Sequence, residues 1–251
     1  MIKKFNEYLM ESEGTLTQEQ KDWLDKCTEG SWRVNPSTGL VDVDGDFNCR
    51  YSGLKNLMGV RFGSVSGNFD CSNNQLTSLE GAPQEVGKDF DCYSNQLTSL
   101  EGAPQEVGRD FSCENNKLTS LEGAPQEVEK DFVCYDSKLN SLEGAPQEVG
   151  GDFSCFGNKL TSLEGAPQKV GENFYCSSNK LTSLKGIPFV NGDISLDLNP
   201  IWNLISPYWK QIEGMETGSI NLVLQMIGQI ENPTAEDIAR IARSIDRMNM
   251  I

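Results

Sequence analysis

Histidine is absent from all 251 residues. Imidazole acid–base catalysis, histidine nucleophiles and histidine-ligated zinc are excluded with it. No run of 18 apolar residues occurs, so no transmembrane helix is expected. Cations are scarce: 21 Lys and Arg stand against 37 Asp and Glu, a formal charge of -16. That balance disfavours direct binding to nucleic acid or an anionic membrane, and favours solubility or a basic protein partner. No glycine-rich phosphate loop and no C-x-x-C pair is present. Carboxylates abound, but they recur at fixed intervals and do not converge on a cleft. Enzyme activity is therefore not expected, and no cofactor or metal is implied. In the opening ten residues Asn6 and Glu7 interrupt any signal-peptide core, so the expected compartment is the cytoplasm.

What the chain does have is internal repetition. Leu76-Thr-Ser-Leu-Glu-Gly-Ala-Pro-Gln-Glu-Val-Gly-Lys-Asp-Phe-Asp-Cys-Tyr-Ser-Asn95-Gln starts again at Leu97, and Cys71, Cys92, Cys113, Cys134, Cys155 and Cys176 fall 21 residues apart. Self-similarity at that period marks a solenoid, in which each turn packs only on its neighbours. Six of the eight cysteines therefore stack in one column. In-register strands lie about 4.8 Å apart, whereas a disulfide brings its Cβ atoms to about 3.8 Å. Buried, reduced thiols are expected, acting as small hydrophobes beside the phenylalanines. Only Cys27, with Cys49, is expected to be open to a thiol reagent.

Strand centres fall at Phe47/Cys49, Phe69/Cys71, Phe90/Cys92, Phe111/Cys113, Phe132/Cys134, Phe153/Cys155 and Phe174/Cys176, with Ile194/Leu196 closing the series. An asparagine column follows them: Asn74, Asn95, Asn116, Asn158, Asn179 and Asn199, with Ser52 and Ser137 as exceptions. The chain turns off the strand there and leaves backbone groups unpaired inside, which an amide can serve with both donors and an acceptor. Serine offers less, so the coil at Ser137 is expected to be the loosest. Gly81, Gly102, Gly123, Gly144 and Gly165, each two residues before a proline, fix the return turn and limit helix there.

Phe90-Asp-Cys92-x-x-Asn95-x-Leu97-x-x-Leu100 follows L-x-L-x-x-N-x-L-x-x-L position by position, with Phe and Cys for the strand leucines. In this the chain resembles the short bacterial and phage leucine-rich repeats, including those of type III secreted effectors. Leu-Thr-Ser-Leu-Glu-Gly-Ala-Pro stands here for their L-T-x-L-P-x-L-P. The step from Val86 to Phe90 is one residue longer than theirs, which accounts for 21 in place of 20. The resemblance covers residues 47 to 204. It implies an α/β repeat fold, a leucine-rich-repeat solenoid with a parallel concave β-sheet, and a protein-binding habit without a named target. Some such effectors carry a ubiquitin-ligase domain with a catalytic cysteine; no cysteine follows Cys176 here.

The flanks read as caps. Residues 1–30 read as an N-terminal helical segment: Ile2, Phe5, Tyr8 and Leu9 give an amphipathic start, with partner docking as an alternative role, and Thr17-Gln-Glu-Gln20 is a capping box for a helix through Trp23, Leu24 and Cys27, stopped near Gly30. Residues 31–46 read as a capping hairpin, Trp32–Val34 and Leu40–Val43 about a turn at Asn35–Gly39, leading into Phe47. Asp42-x-Asp44-Gly-Asp46-x-Asn48 invites a calcium reading, but Phe47 stands where an EF-hand needs glycine and no glutamate follows at position twelve. Residues 205–251 read as a C-terminal helical cap, with helices over Ser219–Ile230 and from Thr234, Pro207 and Pro233 in first turns, and Trp202 and Trp209 beneath. A dimerisation surface is the alternative for these helices.

Function is sought where the copies differ. Alternation points Phe and Cys inward, so the residues between and after them face out from the concave sheet. Between them lie Asp70, Asp91, Ser112, Val133, Ser154 and Tyr175; after Cys lie Ser72, Tyr93, Glu114, Tyr135, Phe156 and Ser177; before Phe runs Asp46, Asn68, Asp89, Asp110, Asp131, Asp152, Asn173 and Asp193. On one reading these positions are unconstrained, and the Asp residues only start strands and accept backbone hydrogen bonds. On the other, Tyr93, Tyr135, Phe156 and Tyr175 are exposed anchors beside an acidic rail, and Asp89, Asp91, Asp110, Glu114, Asp131 and Asp152 serve a protein partner, a basic one by charge. The expectation adopted is a non-enzymatic binding module, phage or bacterial, engaging a host target in the host cytoplasm. A structural component of a particle, virion-associated and docking through its terminal helices, is the alternative. Oligomeric state is left open.

Overall fold

Each copy of the repeat adds one rung to a parallel ladder. The structure, a computed structural model, describes residues 16–248, and the segment expected to be amphipathic over Ile2–Leu9 lies outside them. Strand β1 (Thr28–Val34) pairs antiparallel with β2 (Val41–Asn48), and the Phe47 end of β2 is the first rung. From there Phe47 pairs with Phe69, Phe69 with Phe90, Phe90 with Phe111, Phe111 with Phe132, Phe132 with Phe153, Phe153 with Phe174, and Phe174 with Ile194. The result is a parallel β-sheet solenoid of about 7 turns, with a helix at its N-terminal end and helices at its C-terminal end.

The interior is made of stacked identical side chains. Phe rings from Phe47 to Phe174 lie face to face at 5.1–5.7 Å between neighbours, and the phenylalanines, the six column cysteines and the two leucines of each return are fully buried. All eight cysteines are free thiols, and Cys27 and Cys49, expected to be open, are buried as well. Burial raises the Cys27 pKa, and raises those of the column thiols well above the ordinary value. The thiolate needed for reaction is correspondingly rare.

The asparagines bind adjacent coils as expected. Asn95 Nδ2 donates to Cys71 O and Cys92 O, both at 3.0 Å, and its Oδ1 accepts from Leu76 N at 2.9 Å. At Ser137 this is reduced to Oγ accepting from Asn116 N at 3.3 Å. Just before each asparagine, and before Ser137, the backbone turns left-handed, at Asn73, Ser94, Asn115, Asp136, Gly157 and Ser178, residue types that tolerate it. The end rungs put Tyr51 and Leu198 in that conformation instead, both more than two-thirds exposed.

The return side carries a second ladder that the repeat does not announce. Val65 pairs with Val86 and Val86 with Val107; separately, Val128, Val149, Val170 and Val190 pair in series. Pairing stops between Val107 and Val128. At this break Glu129 stands where other copies have Gly87, Gly108, Gly150 and Gly171 and the last has Asn191. A Cβ at Gly108 would overlap Gly87 O, and one at Gly150 would overlap Glu129 O. Asn191 carries a Cβ at the same position and stays paired with the rung before it, whereas the rung of Glu129 does not.

The N-terminal helix α1 (Gln18–Cys27) begins with the expected capping box between Thr17 and Gln20, and its Trp23 closes the phenylalanine stack edge-on against Phe47 at 5.2 Å. It ends at Cys27 and β1 begins at Thr28, so the hairpin takes residues assigned to the helical segment. At the other end α2 (Trp202–Ile212) starts inside the range assigned to repeats, and Pro207 lies within it, not in its first turn. The bond lost to proline is at the carbonyl of Asn203, an exposed position. Helix α3 (Thr217–Gly228) docks on the end of the return ladder through buried Asn221, whose Oδ1 accepts from Val190 N at 2.8 Å and whose Nδ2 donates to Val190 O at 2.7 Å. That side chain stands in for the next strand. Helix α4 (Ala235–Met248) opens on Thr234 and Asp237, which cap each other. Trp202 and Trp209 meet edge-on at 5.1 Å and pack on the core. Among the described residues no helix is long and apolar enough to cross a membrane.

Candidate functional site

The Phe–Cys ladder sets every side chain of the variable face. Cys92 N donates to Ser112 O and Cys113 N to Val133 O, and Ser94 N donates to Glu114 O and Asn115 N to Tyr135 O. The residues between Phe and Cys, and those after Cys, therefore form two vertical columns beside the aspartate column.

The aspartates have a structural task. Asp131 N donates to Asp110 Oδ1 at 3.1 Å, Asp152 N to Asp131 Oδ1 at 2.8 Å and Asn173 N to Asp152 Oδ1 at 2.8 Å; Asp110 N lies at 3.4 Å from Asp89 Oδ1. Asn68 and Asn173 do the same with an amide oxygen. One carboxylate oxygen of each aspartate thus satisfies a backbone N–H that would otherwise start a strand unpaired. The second oxygen is left for solvent or a ligand. Burial pushes the Asp131 carboxyl above its ordinary value, against the opposing effect of the Asp152 N–H.

The two columns divide along the solenoid. In the N-terminal half Asp70 is buried and accepts from Ser72 Oγ at 2.6 Å, with Arg50 at 3.8 Å. Asp91 is half-buried, and its pKa rises to about 6, through desolvation first and the charge of Asp70 second. Tyr93 is half-buried beside it. Glu114 is not exposed as expected. It is 7% exposed between the rungs of Tyr93 and Tyr135, Oε2 has no hydrogen-bond partner among the described residues, and desolvation raises its pKa to about 7. Sheet alternation gave its direction correctly, but large neighbours above and below cover a side chain that points outward.

In the C-terminal half the aromatics gather. Tyr135 and Phe156 stack face to face at 4.4 Å and 9°, closer than the interior phenylalanines. They are half-buried, not freely exposed, because each covers the other. With Tyr175, Val133, Asp131 and Asp152 they line an open cleft of about 490 Å³. Tyr175 is also half-buried, and burial followed by the charge of Asp152 raises its phenol pKa. Of the ten residues expected to meet a partner, Tyr135, Phe156, Tyr175, Asp131 and Asp152 are brought together; Asp89, Asp91, Tyr93 and Asp110 lie along the N-terminal rungs, and Glu114 is enclosed. Val133 and Ser177 also line the cleft and were not singled out; their place in the same two columns was the available signal. Compared with protein-family models, with curated proteins and with solved structures, the chain finds no match.

Proposed function

We propose that the protein is a non-enzymatic protein-binding module of the short leucine-rich-repeat type, whose partner seats on the Phe–Cys face, the concave side of the repeat. The observation that carries this is the cleft at Tyr135, Phe156 and Tyr175. It lies on the face where the copies differ, while the return segments are nearly identical. Half-buried aromatics in a cleft beside polar groups have the make-up of binding hot spots. The carboxylates stand in register along the sheet, each tied to backbone, which suits binding better than acid–base catalysis. In biological terms the reading is a phage or bacterial protein acting on a host protein in the host cytoplasm, without direct contact to nucleic acid or membrane.

A second reading, assembly into a particle through the terminal helices, is favoured by exposed Leu222 and Met226, one turn apart on α3. Light scattering on the purified protein, alone and with a captured host protein, separates the two. A monomer forming a stoichiometric complex supports the binder. A stable oligomer dispersed by Leu222→Glu supports assembly and overturns it.

A further inference from the structure

The cations of the variable face are unevenly placed. In the N-terminal half Arg50 lies 3.8 Å from Asp70, Lys88 4.0 Å from Asp46 and Arg109 3.6 Å from Asp89. The residue before the aspartate column reads Lys88, Arg109, Lys130, then Gly151 and Glu172. The supply of cations therefore stops where the aromatic cleft begins. Among the described residues no Lys or Arg is ion-paired with Asp131 or Asp152. Nor does Gly151 leave room for one: a Cβ there would overlap Asp131 Oδ1. The protein hydrogen bonds of both aspartates fall on Oδ1, and both residues line the cleft with Tyr135 and Phe156.

Resting on the binding role proposed above, we infer that this cleft takes an arginine side chain from a basic segment of the partner protein. The guanidinium stacks on the aromatic face and donates to the free oxygens of Asp131 and Asp152, filling the position its own lysines and arginines vacate. A planar fork with several donors suits a flat ring wall beside two carboxylates; an ammonium, a strongly hydrated point charge, would use the rings poorly.

The test is calorimetric titration of the intact protein with four capped peptides, identical except at three positions carrying arginine, lysine, trimethyl-lysine or citrulline. The arginine peptide is expected to bind at least tenfold tighter than the citrulline peptide and tighter than the other two. Asp131→Asn with Asp152→Asn should weaken it about tenfold without moving the melting temperature, because Asn68 and Asn173 show that an amide oxygen keeps the backbone bond. Asp89→Asn with Asp110→Asn, equal in charge removed, should weaken it less than threefold. Equal binding of arginine and citrulline peptides, equal effects of the two aspartate pairs, or tightest binding of trimethyl-lysine would each overturn the inference. Failure here is distinguishable from failure of the binding role. If a captured partner is lost on Tyr135→Ala with Phe156→Ala yet kept on Asp131→Asn with Asp152→Asn, the face binds but not through arginine. If the aromatic pair can be removed without loss, the role itself is wrong.

Discussion

The two ladders of the solenoid respond oppositely to variation. On the Phe–Cys ladder the outward residues change at every rung, from Asp91 to Ser112 to Val133, and pairing runs unbroken from Phe47 to Ile194. On the return ladder the pairing is split in two at the rung that carries Glu129 in place of glycine. The difference is one of room. Outward side chains of the first ladder stand off the sheet, whereas the return backbones approach so closely that a Cβ at Gly108 or Gly150 would overlap the preceding carbonyl. Glycine is therefore favoured on the return side by packing, and variety on the other face is the freedom in which a binding surface can be built.

The strongest way to break that comparison is through the asparagines, which serve the backbone where the first ladder turns. Asn116→Ala should cost about 2–3 kcal/mol, since it strands Cys113 O and Leu97 N in the interior. Ser137→Ala should cost less, about 1 kcal/mol, for the loss of one 3.3 Å bond. Denaturant melts of both variants check this, and equal losses would contradict it.

Next in size is the enclosed Glu114. Its carboxyl titrates at about 7 in the fold against an ordinary 4.5, so the folded state holds the proton more tightly than the unfolded chain. Stability must then fall as pH rises through that window, with Asp91, raised from 3.8 to about 6, adding to the fall at its lower end. Glu114→Gln should stabilise the protein by about 1–2 kcal/mol at pH 8 and flatten the decline between pH 5 and 7. Melting temperatures across that range decide it. The smallest effect is on the return side: Glu129→Gly should let the two ladders pair, and hydrogen exchange at Glu129, Lys130 and their neighbours should slow. Gly108→Ala should do the reverse, at about 1 kcal/mol.

Most of this was legible in the sequence, because a repeat makes its own packing partner. Phe, Cys, Asn and Leu recur at one spacing, so their columns, the buried thiols and the capping box at Thr17 followed directly. What was hidden depends on neighbours in space. Glu114 has an outward position in the alternation, yet Tyr93 and Tyr135 bury it. The aromatics follow from the columns, but their stacking does not. Glu129 and Asn191 are both visible as exceptions to a glycine column, but that pairing breaks only at the first is not. Asn221 lies within the helix expected over Ser219–Ile230, and only its docking on Val190 explains an amide there.

The central claim is that the partner is held by the variable face and not by the uniform one. The direct measurement is the dissociation constant of a purified partner for two double variants, with melting curves for each. Tyr135→Ala with Phe156→Ala should weaken binding by at least about 4 kcal/mol, the loss expected for two anchors. The melting temperature should move little, because both rings lie outside the interior stack. Gln126→Ala with Gln147→Ala, on the exposed return side, should leave both quantities unchanged. Binding lost with the glutamine pair and kept with the aromatic pair would contradict the account and place recognition on the uniform face.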